Sequence, residues 1–104
     1  SSAASDVYKR QVDKPLPAVA QFTQLVRSND NRRTIVLTWN EVNDATGYNI
    51  RFGTDKDKLY HNYLVYQTNK VSINILNADQ TYYFTIDSFN EAGVTKGKEI
   101  KIVQ

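Results

Sequence analysis

The sequence predicts an all-β sandwich of seven short strands, on three observations. Apolar residues alternate with polar ones in brief segments that recur at regular intervals, each bounded by turn chemistry. Aromatic residues make up 12% of the 104 positions and seven of them are tyrosines, a bias that suits pleated, half-buried surfaces. No window of 11 or more residues sustains apolar positions at i, i+3, i+4 and i+7, so no amphipathic helix is expected.

The segments follow in order. VAQFTQLV, Val19–Val26, reads as the first strand, and RSNDNRR supplies a polar turn. TIVLTW then sets Ile35, Leu37 and Trp39 on one face and Val36 and Thr38 on the other. After EVNDATG, the run YNIRF alternates Tyr48, Ile50 and Phe52 against Asn49 and Arg51. GTDKDK is a Gly- and Asp-bearing turn, after which LYHNYLVY, VSINIL, TYYFTIDSF and EIKIV complete the set. Ahead of all of these, residues 12–18 (VDKPLPA) carry two prolines and no periodicity, which suits an extended interdomain linker or the lead-in to the first strand.

Composition excludes several classes. With no cysteine there is neither a disulfide framework nor a thiolate metal site. A net charge of +2 with scattered basic residues does not suit a nucleic-acid partner. No apolar stretch approaches the roughly 20 residues of a membrane span, and the N-terminal residues lack the basic start and apolar run of a signal peptide. His61 is the only histidine and sits among tyrosines in a strand, without the partners of a triad or metal site. Asp55 and Asp57 alternate as in a calcium loop, but the further ligands and closing Glu are missing. Glu41, Asp44 and Asp87 have no predicted cleft in which to act as acid and base. No catalytic residue, metal ligand or cofactor is therefore expected.

TIVLTW and GYNIRFG, followed by the run LNADQTYYFTIDSFNEAG, together resemble a fibronectin type III domain, an immunoglobulin-like seven-stranded β-sandwich. TIVLTW and GYNIRFG match its Trp-closed strand and the aromatic-x-aliphatic-x-aromatic strand that follows. LNADQTYYFTIDSFNEAG matches its later run through Leu76, Tyr82, Phe84, Ile86, Ser88, Asn90 and Gly93. The expected core is accordingly Trp39, Tyr48, Ile50, Leu76, Tyr82, Phe84 and Ile86, with the Tyr82 hydroxyl bonded to backbone a few residues upstream as a tyrosine corner. The domain is expected over residues 19–104.

Two further resemblances shape the functional expectation. GTDKDKLYHNYLVY and YYFTIDSFNEAGVTKGK are similar to the C-terminal module of some secreted family 43 glycoside hydrolases of Bacteroidota. That likeness implies a glycan-degrading parent, active outside the cytoplasm at an extracellular, periplasmic or cell-surface site, with an upstream catalytic domain as the module's partner. The first eleven residues, SSAASDVYKRQ, resemble the in-frame translation of a transposase sequencing adapter. They are expected to be non-native and to pack against nothing, with the native sequence starting near Val12 in a longer chain. Without Asp6, Lys9 and Arg10 the net charge falls from +2 to +1.

One group could bind something. Tyr60, Tyr63, Tyr66, Tyr83 and Phe89 are surplus to the inward-facing sets. Exposed together, they would form a docking face for a neighbouring domain, the leading reading. The alternative is a carbohydrate-binding module that stacks a polysaccharide on Tyr60, Tyr63 and Tyr66, and a third reading is an adhesion module presenting a sheet edge to a protein.

Overall fold

The computed structural model describes residues 14–104. The expectations for Ser1–Gln11, and for the first two residues of the linker, lie outside the described residues. The described chain forms β1 (Phe22–Arg27), β2 (Ile35–Trp39), β3 (Gly47–Gly53), β4 (His61–Tyr66), β5 (Lys70–Ile73), β6 (Tyr82–Asn90), β7 (Gly93–Thr95) and β8 (Lys101–Val103). They make a sandwich of two antiparallel sheets. One is three-stranded in the order β1-β2-β5; the other runs β4-β3-β6, with β7 and β8 both on the far side of β6.

Eight strands stand where seven were expected, because the last strand position is split. β7 pairs with one end of β6, from Ser88 to Asn90, and β8 with the other, from Tyr82 to Phe84. Between them the chain leaves the ladder to serve side chains of β6. The Gly97 N–H donates to Asp87 Oδ1 at 2.8 Å, and the Thr85 hydroxyl donates to the Glu99 carbonyl at 2.8 Å. Glycine is required here, since a Cβ at position 97 would collide with the Ile86 carbonyl oxygen.

The first strand also starts later than Val19. A bulge between Phe22 and Gln24 inserts one extra residue opposite β2, which returns Phe22 to the inner face beside Trp39. Phe22 and Leu25, three apart in sequence, thus both point into the sandwich. Upstream of the bulge, the lead-in is bonded into the domain. Asn90 Nδ2 donates to Pro15 O at 2.8 Å, Thr95 Oγ1 to Pro17 O at 2.6 Å and Ser88 Oγ to Ala18 O at 2.6 Å. Pro17 is buried. The two prolines have no N–H to give, so the segment is held mainly by the carbonyls it offers, with the Ala18 N–H donating to the Asn43 carbonyl at 3.2 Å.

Period-two alternation builds the core. Trp39, Tyr48, Ile50, Leu76, Tyr82, Phe84 and Ile86 are all buried, with Ile35, Leu37, Phe52 and Ile73 completing the layer. Trp39 meets Phe22 edge-on at 6.4 Å between ring centroids and Tyr48 at 5.5 Å, which ties the two sheets together. Tyrosine hydroxyls then fix the loops at the two ends. The Asn77 N–H donates to Tyr82 Oη at 2.8 Å, forming the tyrosine corner. At the opposite end the Val42 N–H donates to Tyr48 Oη at 2.9 Å.

Arg27 closes the core beneath Tyr82. It is an inward residue of β1, 7% exposed, with its guanidinium 5.5 Å from the Tyr82 ring centroid. It donates to the carbonyls of Arg32 at 2.7 Å, Gln80 at 2.5 Å and Asn77 at 2.6 Å. Burial, and then the nearby Arg32 charge, push its pKa down, while Tyr82 and Asp79 act in the other direction. The guanidinium stays charged throughout, because arginine does not deprotonate in proteins. One side chain therefore gathers two loops that would otherwise splay.

Two stability predictions follow from these contacts. Tyr82→Phe keeps the ring but leaves the Asn77 N–H without its acceptor, at a cost of about 1–3 kcal/mol. Arg27→Met keeps the aliphatic stem and loses the charged donors, for about 1.5–3 kcal/mol. Calorimetry should show each lowering the unfolding midpoint by roughly 4–8 °C per kcal/mol. An unchanged midpoint in Tyr82→Phe would refute the role given to the corner.

Candidate functional site

The ladder registers decide which side chains share a surface, since residues directly opposite in an antiparallel pair point to the same face. On the five-stranded sheet, Tyr48, Ile50 and Phe52 face the core. Gly47, Asn49, Arg51 and Gly53 therefore face outward, opposite Tyr66, Leu64 and Asn62 of β4 and Phe89, Asp87, Thr85 and Tyr83 of β6. Val94 of β7 and Ile102 of β8 extend this outer face beside Phe89 and Tyr83.

This face has a polar middle and two apolar ends. In the middle Arg51 forms a two-pronged pair with Asp87, Nε to Oδ2 at 2.7 Å and Nη2 to Oδ1 at 3.1 Å. Asp87 does face outward, as the alternation requires, yet only 1% of it is exposed. The Gly97 segment crosses above it and supplies a third donor. A carboxylate so fully engaged serves the sheet and is not free for acid–base work.

At one end lies an aromatic row. The Tyr66 and Phe89 rings meet edge to face at 5.7 Å and 83°, with Val94 next along. Gly47 makes this possible, because a Cβ there would fall 2.6 Å from Phe89 Cζ. Tyr66 is 61% exposed and Val94 54%, while Phe89 is half-buried beneath them. The lead-in enters at this same end. Leu16, itself exposed, lies over Gly93 with Cδ2 3.0 Å from where a Cβ would stand.

The remaining surplus aromatics go elsewhere. Tyr83 is half-buried at the far end of the outer face, beside Ile102. Tyr60 precedes β4 and is 75% exposed at the rim of a shallow groove of about 330 Å³ lined by Arg51, Lys56, Thr85, Lys98 and Ile100. Tyr63 lies opposite Ile50 and so faces away from Tyr66, on the inner side of the sheet. Tyr60, Tyr63 and Tyr66 do not form one plane. The structure brings Tyr66 together with Phe89 and Val94, and the same outer face carries Leu64 and, at its far end, Ile102, which composition alone did not single out. The parity of β4 relative to β3 would have identified Leu64 and separated Tyr63.

The other sequence candidates have structural roles. His61 stacks on Phe52 at 5.0 Å and 26°. Asp55 Oδ1 accepts the Asp57 N–H at 2.9 Å, so the alternating aspartates form a closed turn. Among the described residues no cluster of His, Cys, Asp or Glu could hold a metal ion.

Comparison with known proteins agrees with this architecture. The model for the fibronectin type III domain matches residues 20–103. An Fn3-like protein from Clostridium thermocellum superposes with a TM-score of 0.71 at 18% identity, over 89% of this chain and 94% of that one. The fn3 domain of human contactin 1 gives 0.71 at 21% identity, over 99% and 90%. A domain of human collagen XX gives 0.58 at 19% identity, over 89% and 94%. At such identities the likeness speaks to fold alone. No curated protein sequence matches the chain. The Trp39 core, the Tyr82 corner, the two-sheet order and the family match over nearly the whole described chain agree: this protein belongs to the fibronectin type III family.

Proposed function

We propose that the domain is a non-catalytic accessory module that docks onto a catalytic domain preceding it in its parent chain. The observation that carries this reading is the position of the Tyr66–Phe89–Val94 row. Exposed apolar side chains gather on the outer face at the end of the sheet where the lead-in is bonded to the inward side chains Ser88, Asn90 and Thr95. Pro15, Pro17 and Ala18 are bonded to side chains of β6 and β7, so the lead-in is anchored at this end of the sheet. A preceding domain would meet the patch first, and aromatic residues are what such interfaces favour.

The parent, on this reading, is a secreted carbohydrate-active enzyme. Support comes from the likeness of GTDKDKLYHNYLVY and YYFTIDSFNEAGVTKGK to modules appended to family 43 glycoside hydrolases. The domain would then space or orient the catalytic unit outside the cytoplasm, with the polysaccharide contacting that unit. A direct sugar contact has one specific observation in its favour, the exposed Tyr60 ring beside the groove of Lys56 and Lys98. A single ring on a loop offers less area than the Tyr66–Phe89–Val94 row, so docking is the better-supported reading.

Two measurements separate these readings. In the parent chain, the amides around Tyr66, Phe89 and Val94 should exchange more slowly than in the isolated domain, and Tyr66→Ser with Val94→Ser should abolish the difference. Titration of the isolated domain with arabinoxylan oligosaccharides should give no saturable heat. Saturable heat lost in Tyr60→Ala, together with unchanged exchange in the parent, would replace docking by sugar binding.

A further inference from the structure

We infer that β4 is an open pairing edge, and that its partner is β4 of a second copy of this chain. The basis is the contrast between β4 and the other sheet edges. Exposed edges offer unpaired N–H and C=O groups, and natural sheets blunt them with bulges, shortness, charge or proline. The β1 edge carries the bulge at Phe22–Gln24. β5 is only four residues long and begins with Lys70. β7 and β8 have three residues each, separated by a stretch containing Lys96, Lys98 and Glu99.

β4 has none of these devices. HNYLVY runs six residues in unbroken register with β3, without Lys, Arg, Asp, Glu, Gly or Pro. All of its residues but Val65 are exposed. Tyrosine, leucine and valine in this arrangement have high strand propensity and no charge to repel a neighbour, which is the composition that favours strand addition.

The same features select the occupant. A partner edge must match β4 in length and bring no charge against Leu64 or Tyr63, and a second β4 satisfies both conditions. A two-fold axis perpendicular to the sheet through Leu64 sets Leu64 against its copy. It also places Tyr63 opposite Val65 of the second copy and Asn62 opposite Tyr66 of the second copy, aromatic and β-branched pairs among them. The five-stranded sheets then become one continuous sheet. The Phe89–Val94 end of the outer face stays uncovered, so this contact is independent of the docking proposed above.

A single six-residue ladder is a small interface and should be weak, with Kd on the order of 10⁻⁴ M. Sedimentation velocity of the full chain from about 10 μM to 1 mM should show a rise from monomer toward dimer. At the upper concentration, hydrogen exchange should slow by roughly fivefold at alternate amides between His61 and Tyr66, because only every second residue points its N–H toward a given neighbour. Leu64→Lys sets like charges directly opposite at the two-fold, Tyr63→Lys sets them on the diagonal across it, and each should hold the protein monomeric. Leu64 is exposed on the outer face, so its variant should leave the unfolding midpoint at low concentration unchanged; Tyr63, on the inner side, gives the second variant, and either suffices if the other is destabilised. A monomer at every concentration would overturn the inference. So would a dimer that survives both substitutions, or protection that appears at Phe89 and Val94 in place of β4.

Discussion

The rest of the structure hangs on the ladder between β3 and β6. Seven successive pairs, from Gly47 with Phe89 to Gly53 with Tyr83, fix the two strands in one register. Inward, that register stacks Tyr48, Ile50 and Phe52 beside Ser88, Ile86 and Phe84, and so determines what the opposing sheet must fill. Outward, it sets Arg51 near Asp87 and lays Phe89 across Gly47. A slip of one residue would turn the slipped strand inside out, for β3 placing Arg51 in the core and Tyr48, Ile50 and Phe52 in water. The cost of that reversal is what makes the register unique. Both flanking edges then inherit their alignment from these two central strands.

Polar groups are buried here only where donors and acceptors converge. Asp87 is enclosed because two arms of Arg51 and the Gly97 N–H meet it, and the interruption between β7 and β8 is the backbone consequence. A straight final strand would keep the Gly97 N–H in the ladder and leave Asp87 one donor short. Removing one partner of such a pair strands a buried charge, which costs far more than the pair contributes. Arg27 follows a different logic, facing carbonyls instead of a carboxylate. Its planar fork reaches acceptors in two separate loops, which a lysine ammonium could not span in the same geometry. Arg27 and Tyr82 thus close one end of the sandwich, as the Tyr48 hydroxyl and the bonded lead-in close the other.

Regular alternation made most of the fold legible. Period two in TIVLTW, YNIRF and TYYFTIDSF identifies the inward sets, and the family resemblance of the run from Leu76 to Tyr82 implies the corner. What stayed hidden was whatever breaks the period or depends on a distant partner. The bulge in β1 brings Phe22 and Leu25 to one face at a spacing of three, which breaks the strand period. GVT is too short to signal a strand, and β7 exists because β6 offers it an edge. Arg27 reads as a turn residue in sequence, since nothing local reveals that carbonyls some fifty positions away will surround it. The surplus aromatics cluster in the sequence, but proximity along the chain does not group them in space. Only the pairing of β4 with β3 shows that Tyr63 and Tyr66 lie on opposite faces.

Function in such a scaffold must reside where the fold leaves something unfinished, because the sandwich itself supports many unrelated roles. The core is closed, its buried polar side chains are mostly paired, and the acidic residues are exposed or engaged in turns and ion pairs. Two features remain unfinished. One is the apolar row over Gly47, whose small residue is spent on letting Phe89 lie flat and so keeps the surface smooth enough to pack against. The other is the backbone edge of β4, the one long edge without a bulge, a charge or an interruption. Tyr66 belongs to both, with its ring on the face and its backbone on the edge. A partner on either surface would bury part of this residue, yet the two contacts use different atoms. Sheet geometry keeps them separate, because side chains leave perpendicular to the sheet while N–H and C=O groups lie within its plane. One strand can therefore offer two contacts without making them exclusive.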